Sequence, residues 1–260
     1  MKKTVFLICF VFCFSLTNIS AQEADIVYQQ SSINALMEGL FDGELQLGCL
    51  KNKGNFGIGT FDNLDGEMVL IDGQVYQIKS DGNSYKPKDE VETPFAMAVF
   101  FKADDKKIID HQLTSYGLTN FLDSVLPSKN RFYALKISGK FKYAKVRSVH
   151  AQTKPYPRLA DALSKQKVFE LRNLEADIVG FWSPEFAEGL NIPGYHLHFI
   201  TKDRTHGGHL LDCVLDYGDL EIDYLNDYFV ELPKNKEFLE KDFSKSIEKE
   251  LEEGYSAKKK

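Results

Sequence analysis

Hydrophobic and polar positions alternate in short runs through much of this chain. Between residues 56 and 80 the runs FGIGTF, EMVLIDG and QVYQI are punctuated by Asp65-Gly66 and Asp72-Gly73. Successive side chains of a strand leave opposite faces, so this pattern predicts strands. Asp-Gly tolerates the left-handed backbone of a tight hairpin turn, so both pairs are predicted turns. Further strands are expected at FAMAVFFK (95–102), across 131–150, at ADIVGFW and YHLHFI, and along HLLDCVLDYGDLEIDYL. Helical spacing is rarer. Ile33, Leu36, Met37 and Leu40 form a stripe behind Ser31 or Ser32 as N-cap, with Gly43 as the stop. Residues 115–125 read as a helix before Pro127. Residues 158–170 read as another after Lys154-Pro155-Tyr156-Pro157, and the charged last 25 residues as a fourth.

This mixture predicts an α+β (mixed α/β) fold, mostly mixed β-sheets with few helices. Two sub-domains are expected, 22–150 and 151–260, with any metal site on strands of the C-terminal half. Residues 1–21 form a separate object. Lys2 and Lys3 precede an apolar run from Val5 to Leu16, and a small residue, Ala21, follows. That is the layout of a secretory signal peptide cleaved near Ala21, and the run is too short to span a bilayer. The protein is therefore expected to be exported, periplasmic or secreted, with no membrane attachment once the leader is gone.

Charge narrows the partners. The chain carries 32 basic and 38 acidic residues, a net charge of -6. No basic footprint for nucleic acid is present. Removing Lys2 and Lys3 leaves 30 basic residues, a charge of -8. Of the four cysteines, Cys49 and Cys213 survive cleavage. Export allows them to pair but does not require it, and two buried free thiols are the favoured reading.

Four of the six histidines lie within fourteen residues, in the segment Pro193-Gly-Tyr-His196-Leu-His198-Phe-Ile200 followed by Thr-Lys-Asp-Arg-Thr-His206-Gly-Gly-His209. His196 and His198, two apart on a strand, share a face, while Leu197 and Phe199 turn to a core. A turn through Lys202-Asp203-Arg204 would return the chain so that His209 faces them. Three imidazoles without an adjacent fourth ligand describe a catalytic metal site with open positions. His206, in the turn, is the poorer ligand. Imidazoles suit Zn2+ and other divalent transition metals alike.

The stretch PGYHLHFITKDRTHGGHLLD (193–212) resembles the acetolactate decarboxylase family. The resemblance extends through GIGTFDNLDGEMVLIDGQVY (57–76), TPFA (93–96), NRFYALKISGKFKYAKVRSV (130–149), KPYP (154–157) and GFWSPEFAEGLNIPGYH (180–196). It implies zinc on His196, His198 and His209, an active-site acid at Glu67, an arginine at Arg147 and a polar group near the substrate at Thr60. It also implies a metal-reaching glutamate near the C-terminus, at Glu252 rather than Glu250 or Glu253. The implied reaction takes CO2 from 2-acetolactate to give acetoin. The metal would chelate the ketone and hydroxyl oxygens and stabilise an enediolate, with either Glu67 or Arg147 delivering the proton. Oligomeric state stays open, and a homodimer is allowed. Two rivals explain the histidines alone: a zinc lyase or hydrolase with a carbonic-anhydrase-like or cupin-like site, and a non-catalytic exported metal-binding protein. No Glu follows His198 at cupin spacing, and the second rival leaves Glu67 and Arg147 without a role.

Overall fold

Asp72 and Gly73 both adopt positive φ, 52° and 72°, and join two strands paired as Ile71 with Gln74. This two-residue hairpin is the one its dipeptide predicts. The computed structural model describes residues 25–243, so the expected leader over 1–21 and the glutamates 250, 252 and 253 lie outside the described residues. Within them run β1 (Ile26–Gln30), α1 (Ile33–Met37), β2 (Leu45–Gln46), α2 (Leu47–Lys51), β3 (Phe56–Thr60), β4 (Glu67–Ile71), β5 (Gln74–Ile78), β6 (Ser84–Tyr85), β7 (Glu92–Thr93) and β8 (Ala96–Val99). There follow β9 (Asp105–Ile109), β10 (Leu113–Thr114), α3 (Ser115–Val125), β11 (Phe132–Ser148), α4 (Leu159–Leu163), β12 (Lys167–Ser183), β13 (Gly194–Thr201), β14 (Gly207–Leu225), β15 (Asp227–Glu231) and α5 (Lys236–Glu240). None of the described helices is long and apolar enough to cross a membrane.

Two sheets carry the fold. The first has strand order β15-β1-β8-β3-β4-β5-β6, antiparallel except where β1 meets β15. The second follows the path β10-β14-β11-β12-β13, and β13 also pairs β14. Mixed sheets with few helices are therefore what the alternation predicted. The expected division near residue 150 falls at the end of β11, which pairs with β12 and β14 on its far side, while β15 returns to the first sheet.

Strand alternation sorts the side chains into three cores. Ile58, Val69 and Met97 of the first sheet meet Val179, Phe181 and Ile200 of the second in an inner layer. Met68, Leu70 and Val75 point the other way, under Leu47 and Leu50 of α2. Tyr133, Leu135 and Phe199 pack outward beneath Leu118 and Leu122 of α3. Burial of each such side chain stabilises by about 1.5–3 kcal/mol, so the sheets are held face to face chiefly by apolar contact.

Three local expectations are corrected. The first helix stops at Gly39, not Gly43: Gly39 takes φ +81°, and a Cβ there would meet Pro157 O at 2.5 Å. The helix expected over 158–170 ends at Leu163, because Lys167 onward pairs with β11, Val168 opposite Arg147. Cys49 and Cys213 are both free, as the favoured reading had it, but Cys49 is exposed rather than buried, and burial of Cys213 pushes its thiol up to about 11.

Candidate active site

The site is made from polar residues that replace apolar ones on the inner faces of five strands. On β3, Thr60 continues the inner series of Phe56 and Ile58, and on β4 Glu67 heads the series Val69 and Ile71. On β13, His196 and His198 precede Ile200, whose side chain lies in the inner layer. His209 sits directly opposite His198, and Arg147 of β11 directly opposite His209. Gly208 permits this close approach. It has φ +145°, and a Cβ there would lie 2.4 Å from Arg147 O.

Arg147 reaches the inner face through an irregularity. In the first half of β11 odd positions, Tyr133, Leu135 and Ile137, fill the outer core; in the second half even positions, Ala144 and Val146, do so. The switch accompanies register shifts against β14 around Phe141 and again between Lys145 and Val146. A bulge changes which face later residues occupy, and here it turns Arg147 inward with Val149.

The three rings form a near-equilateral group, with centroids 5.2, 5.2 and 5.3 Å apart. One ligand atom from each lies within 4.8 Å of the others, and all three residues are buried. Metal–nitrogen bonds of 2.0–2.1 Å in tetrahedral geometry need nitrogens roughly 3.3 Å apart, so small ring adjustments suffice. His198 Nδ1 lies 2.7 Å from Met68 O. A carbonyl only accepts, so Nδ1 holds the proton and Nε2 keeps the lone pair, the arrangement of a metal-binding histidine with a backbone partner. His198 Nε2 and His196 Nδ1 are buried with no hydrogen-bond partner among the described residues. Such atoms are costly to leave unsatisfied, and a cation would satisfy them. The donor set therefore fits a divalent transition metal.

Electrostatics agree. Burial, reinforced by neighbouring His198 and Arg147, holds His196 well below the usual imidazole range. Burial does the same to His209, helped by Arg147 and the other two rings. His198 falls to about 3 through burial, against the opposing Met68 bond and with some help from Arg147. Neutral imidazoles are the form that binds metal.

Arg147 Nη1 donates to Glu67 Oε1 at 2.9 Å, and Glu67 Oε2 stands 3.6 Å from His198 Nε2. Burial raises the Glu67 carboxyl above its ordinary value, and the Arg147 charge only partly opposes this. Thr60 donates its hydroxyl proton to Gly66 O at 2.7 Å, leaving its oxygen able to accept. Thr60, Glu67, Arg147, His196 and His198 share one cavity of about 30 Å³. The far wall is apolar and includes Leu36, Phe95, Leu159 and Leu163. These lining residues carry no polar signature, so a search for chemistry-bearing side chains passes over them. His206 stays in the exposed turn, beside Thr205 Oγ1 at 2.8 Å, away from the triad. Glu252 is outside the described residues.

Residues 27–245 match the sequence model of the family described as alpha-acetolactate decarboxylase. A protein of that name from Methanosarcina mazei is 46% identical over 235 residues, covering 90% of this chain and 82% of the relative. One from Brevibacillus brevis is 39% identical with the same coverage. The crystal structure of alpha-acetolactate decarboxylase from Bacillus subtilis strain 168 superposes with a TM-score of 0.86 at 35% identity, covering 88% of this chain and 99% of that one.

Proposed function

The chain belongs to the alpha-acetolactate decarboxylase family, whose members are carboxy-lyases, and from that premise we propose a metal-dependent decarboxylation of 2-acetolactate to acetoin and CO2. His196, His198 and His209 would hold the metal, zinc being well suited to three imidazoles. The observation that supports this most is the buried histidine triad facing the Glu67–Arg147 pair.

The reaction breaks the bond between the carboxylate carbon and C2. CO2 leaves, the electron pair passes to C2 and the adjacent ketone, and a proton added at C2 completes acetoin. A bound divalent cation supplies a Lewis acid for the negative charge that develops on oxygen. The chain's own residues do the remaining work. Arg147 offers fixed, charged donors for the substrate carboxylate, with one nitrogen already anchored on Glu67. With its proton committed to Gly66 O, Thr60 can only accept a further bond, which suits the substrate hydroxyl as donor. Glu67, its carboxyl raised by burial, can carry a proton at higher pH than an exposed glutamate and is assigned the transfer to C2. The apolar wall excludes water from the carbanionic carbon.

The test is an acetoin assay on protein lacking residues 1–21, as isolated, after chelation and after zinc is restored. Activity lost with the metal and regained with it is expected. Full decarboxylation by metal-free protein would overturn the reading. Export rests on the leader alone; mature protein recovered outside the cytoplasm should begin at Gln22, and an intact Met1 terminus would contradict it.

A further inference from the structure

Two hairpins share the work of the site. Strands β4 and β5 carry Glu67, at the end away from their turn, and strands β13 and β14 carry all three histidines. The 3.6 Å between Glu67 Oε2 and His198 Nε2 therefore depends on how one hairpin sits on the other.

Arg204 lies in the turn of the histidine hairpin with φ +62°, a backbone conformation that costs any residue with a side chain. The turn is closed by its own bonds, Thr201 N donating to His206 O at 2.9 Å and Arg204 N to Thr201 O at 2.8 Å. Glycine or asparagine would serve such a turn better, so the reason for arginine lies in its guanidinium. Nη1 stands 2.6 Å from Oδ2 of Asp177 on β12, a carboxylate with no exposed surface. That oxygen has no aligned hydrogen-bond partner among the described residues, so charge carries the contact. Asp177 Oδ1 accepts from Ser138 Oγ at 2.5 Å. Lys202 Nζ is 3.8 Å away on a side chain 60% exposed, which makes Arg204 the close counter-charge.

The same guanidinium reaches the other hairpin. Its carbon lies 5.9 Å from the Tyr76 ring centre, and Nη2 lies 4.0 Å from Asp72 Oδ2. Tyr76 is two residues before Ile78, which pairs with Glu67. At Ile78 the hairpins nearly touch, since a Cβ on Gly207 would lie 3.1 Å from Ile78 Cγ1.

We propose that Arg204 is a positioning residue for the reaction: anchored on buried Asp177, it clamps the histidine hairpin to the Glu67 hairpin and sets the distance between the metal ligands and the proton-carrying carboxyl. This rests on the decarboxylase reading above. Arg204 does not line the cavity, so it acts through placement. Because the three ligands share one hairpin, loosening the clamp should leave the metal bound.

The test is Arg204→Met, which keeps an aliphatic stem and removes the charge. Its kcat for 2-acetolactate is expected to fall about ten- to a hundredfold, the scale of a misplacement of up to about 1 Å. KM and zinc affinity, measured by chelator competition, should change little. The His198 Nδ1 proton, bonded to Met68 O, should exchange faster in nuclear magnetic resonance spectra of the metal-free variant. Arg204→Met also leaves Asp177 buried without its counter-charge and will lose stability. Adding Asp177→Asn should restore stability but not kcat, which separates placement from folding. Arg204→Lys keeps a charge for Asp177 without the planar contact to Tyr76 and should lie between wild type and Arg204→Met. Leu122→Ala, in the outer core beneath α3, controls for general destabilisation and should keep wild-type kcat. Wild-type kcat in the folded double variant, zinc loss that accounts for the whole fall, or an equal fall in Leu122→Ala overturns the assignment. If wild-type protein itself fails to decarboxylate 2-acetolactate, the decarboxylase reading falls, and unchanged exchange of the His198 proton then overturns the clamp.

Discussion

Strand β14 buries an ionisable group at each end of the inner layer, and the two ends behave oppositely. Near its start, His209 joins His196, His198, Arg147 and Glu67. Near its finish, Asp223, opposite Ala134, is only 1% exposed. Its Oδ2 accepts from Lys102 N at 2.9 Å, and its Oδ1 has no hydrogen-bond partner among the described residues. Burial pushes this carboxyl up to about 6, with Asp104 and Asp25 adding repulsion against the Lys102 bond. Desolvation acts alike on both ends. At the histidines it favours the neutral ring, which is the useful form; at Asp223 it penalises the charged form and nothing described here uses the result. Burial of a polar group is thus informative only together with what faces it.

The comparison is broken most sharply at the histidine end. His198→Ala should reduce bound metal and acetoin formation to background while circular dichroism stays that of the wild type. A variant with full metal content and turnover would remove His198 from the site. Arg147→Ala should keep the metal, measured by elemental analysis, yet lose about 10²–10³-fold in kcat, the scale of removing one charged donor. It also strands Glu67 in a dry site, so adding Glu67→Gln should recover stability but not activity. Undiminished turnover in Arg147→Ala would refute its role.

At the other end the expected changes are in stability. The Asp223 carboxyl is raised in the folded state, so the folded protein binds more protons than the unfolded chain between about pH 4 and pH 6. Stability should therefore fall as pH rises through that window, with the full cost present above it. Asp223→Asn should remove this slope and gain on the order of 2–3 kcal/mol at pH 8, from a shift near two units. Activity should stay within about twofold. Denaturant titrations at pH 4.5 and 8 decide it; equal midpoint differences at both pH values would contradict the assignment.

The smallest effect is expected at Glu38. Its carboxyl is buried enough to resist ionising, but Lys241 and Arg158 overcome this and hold it below the usual range. Its contribution is present above about pH 4.5 and lost as pH falls further. Glu38→Ala should cost about 0.5–1 kcal/mol near neutrality, since Arg158 is substantially exposed, and progressively less as pH falls below about 4.5. A loss that persists at low pH would mean packing, not charge, joins α1 to α4.

How much of this could be read from the chain varies with the physics involved. The histidine hairpin was legible because a strand's period is invariant, so His196 and His198 had to share a face and the turn through Lys202-Asp203-Arg204 brought back His209. The Asp72-Gly73 turn was legible because few dipeptides accept its backbone. Arg147 was not legible from alternation. Counting by twos from Tyr133 assigns it to the outer core, and only the bulge, which depends on the partner strand, reverses that. Its site role came from the family resemblance alone. The helix expected through residue 170 failed for a related reason. Val168 and Phe169 are β-formers, and pairing with Arg147 and Val146 outweighs the local helical pattern. The apolar wall was hidden because a leucine lining a cavity and a leucine filling a core look alike in one dimension.

The His198–Met68 hydrogen bond crosses from one sheet to the other. Ring orientation in the second sheet is therefore fixed by a carbonyl of the first, and any slip between the layers rotates an imidazole. Enzymatic turnover becomes a gauge of how the two layers are registered. Under mild denaturant or pressure, it should fade while strand content is still intact.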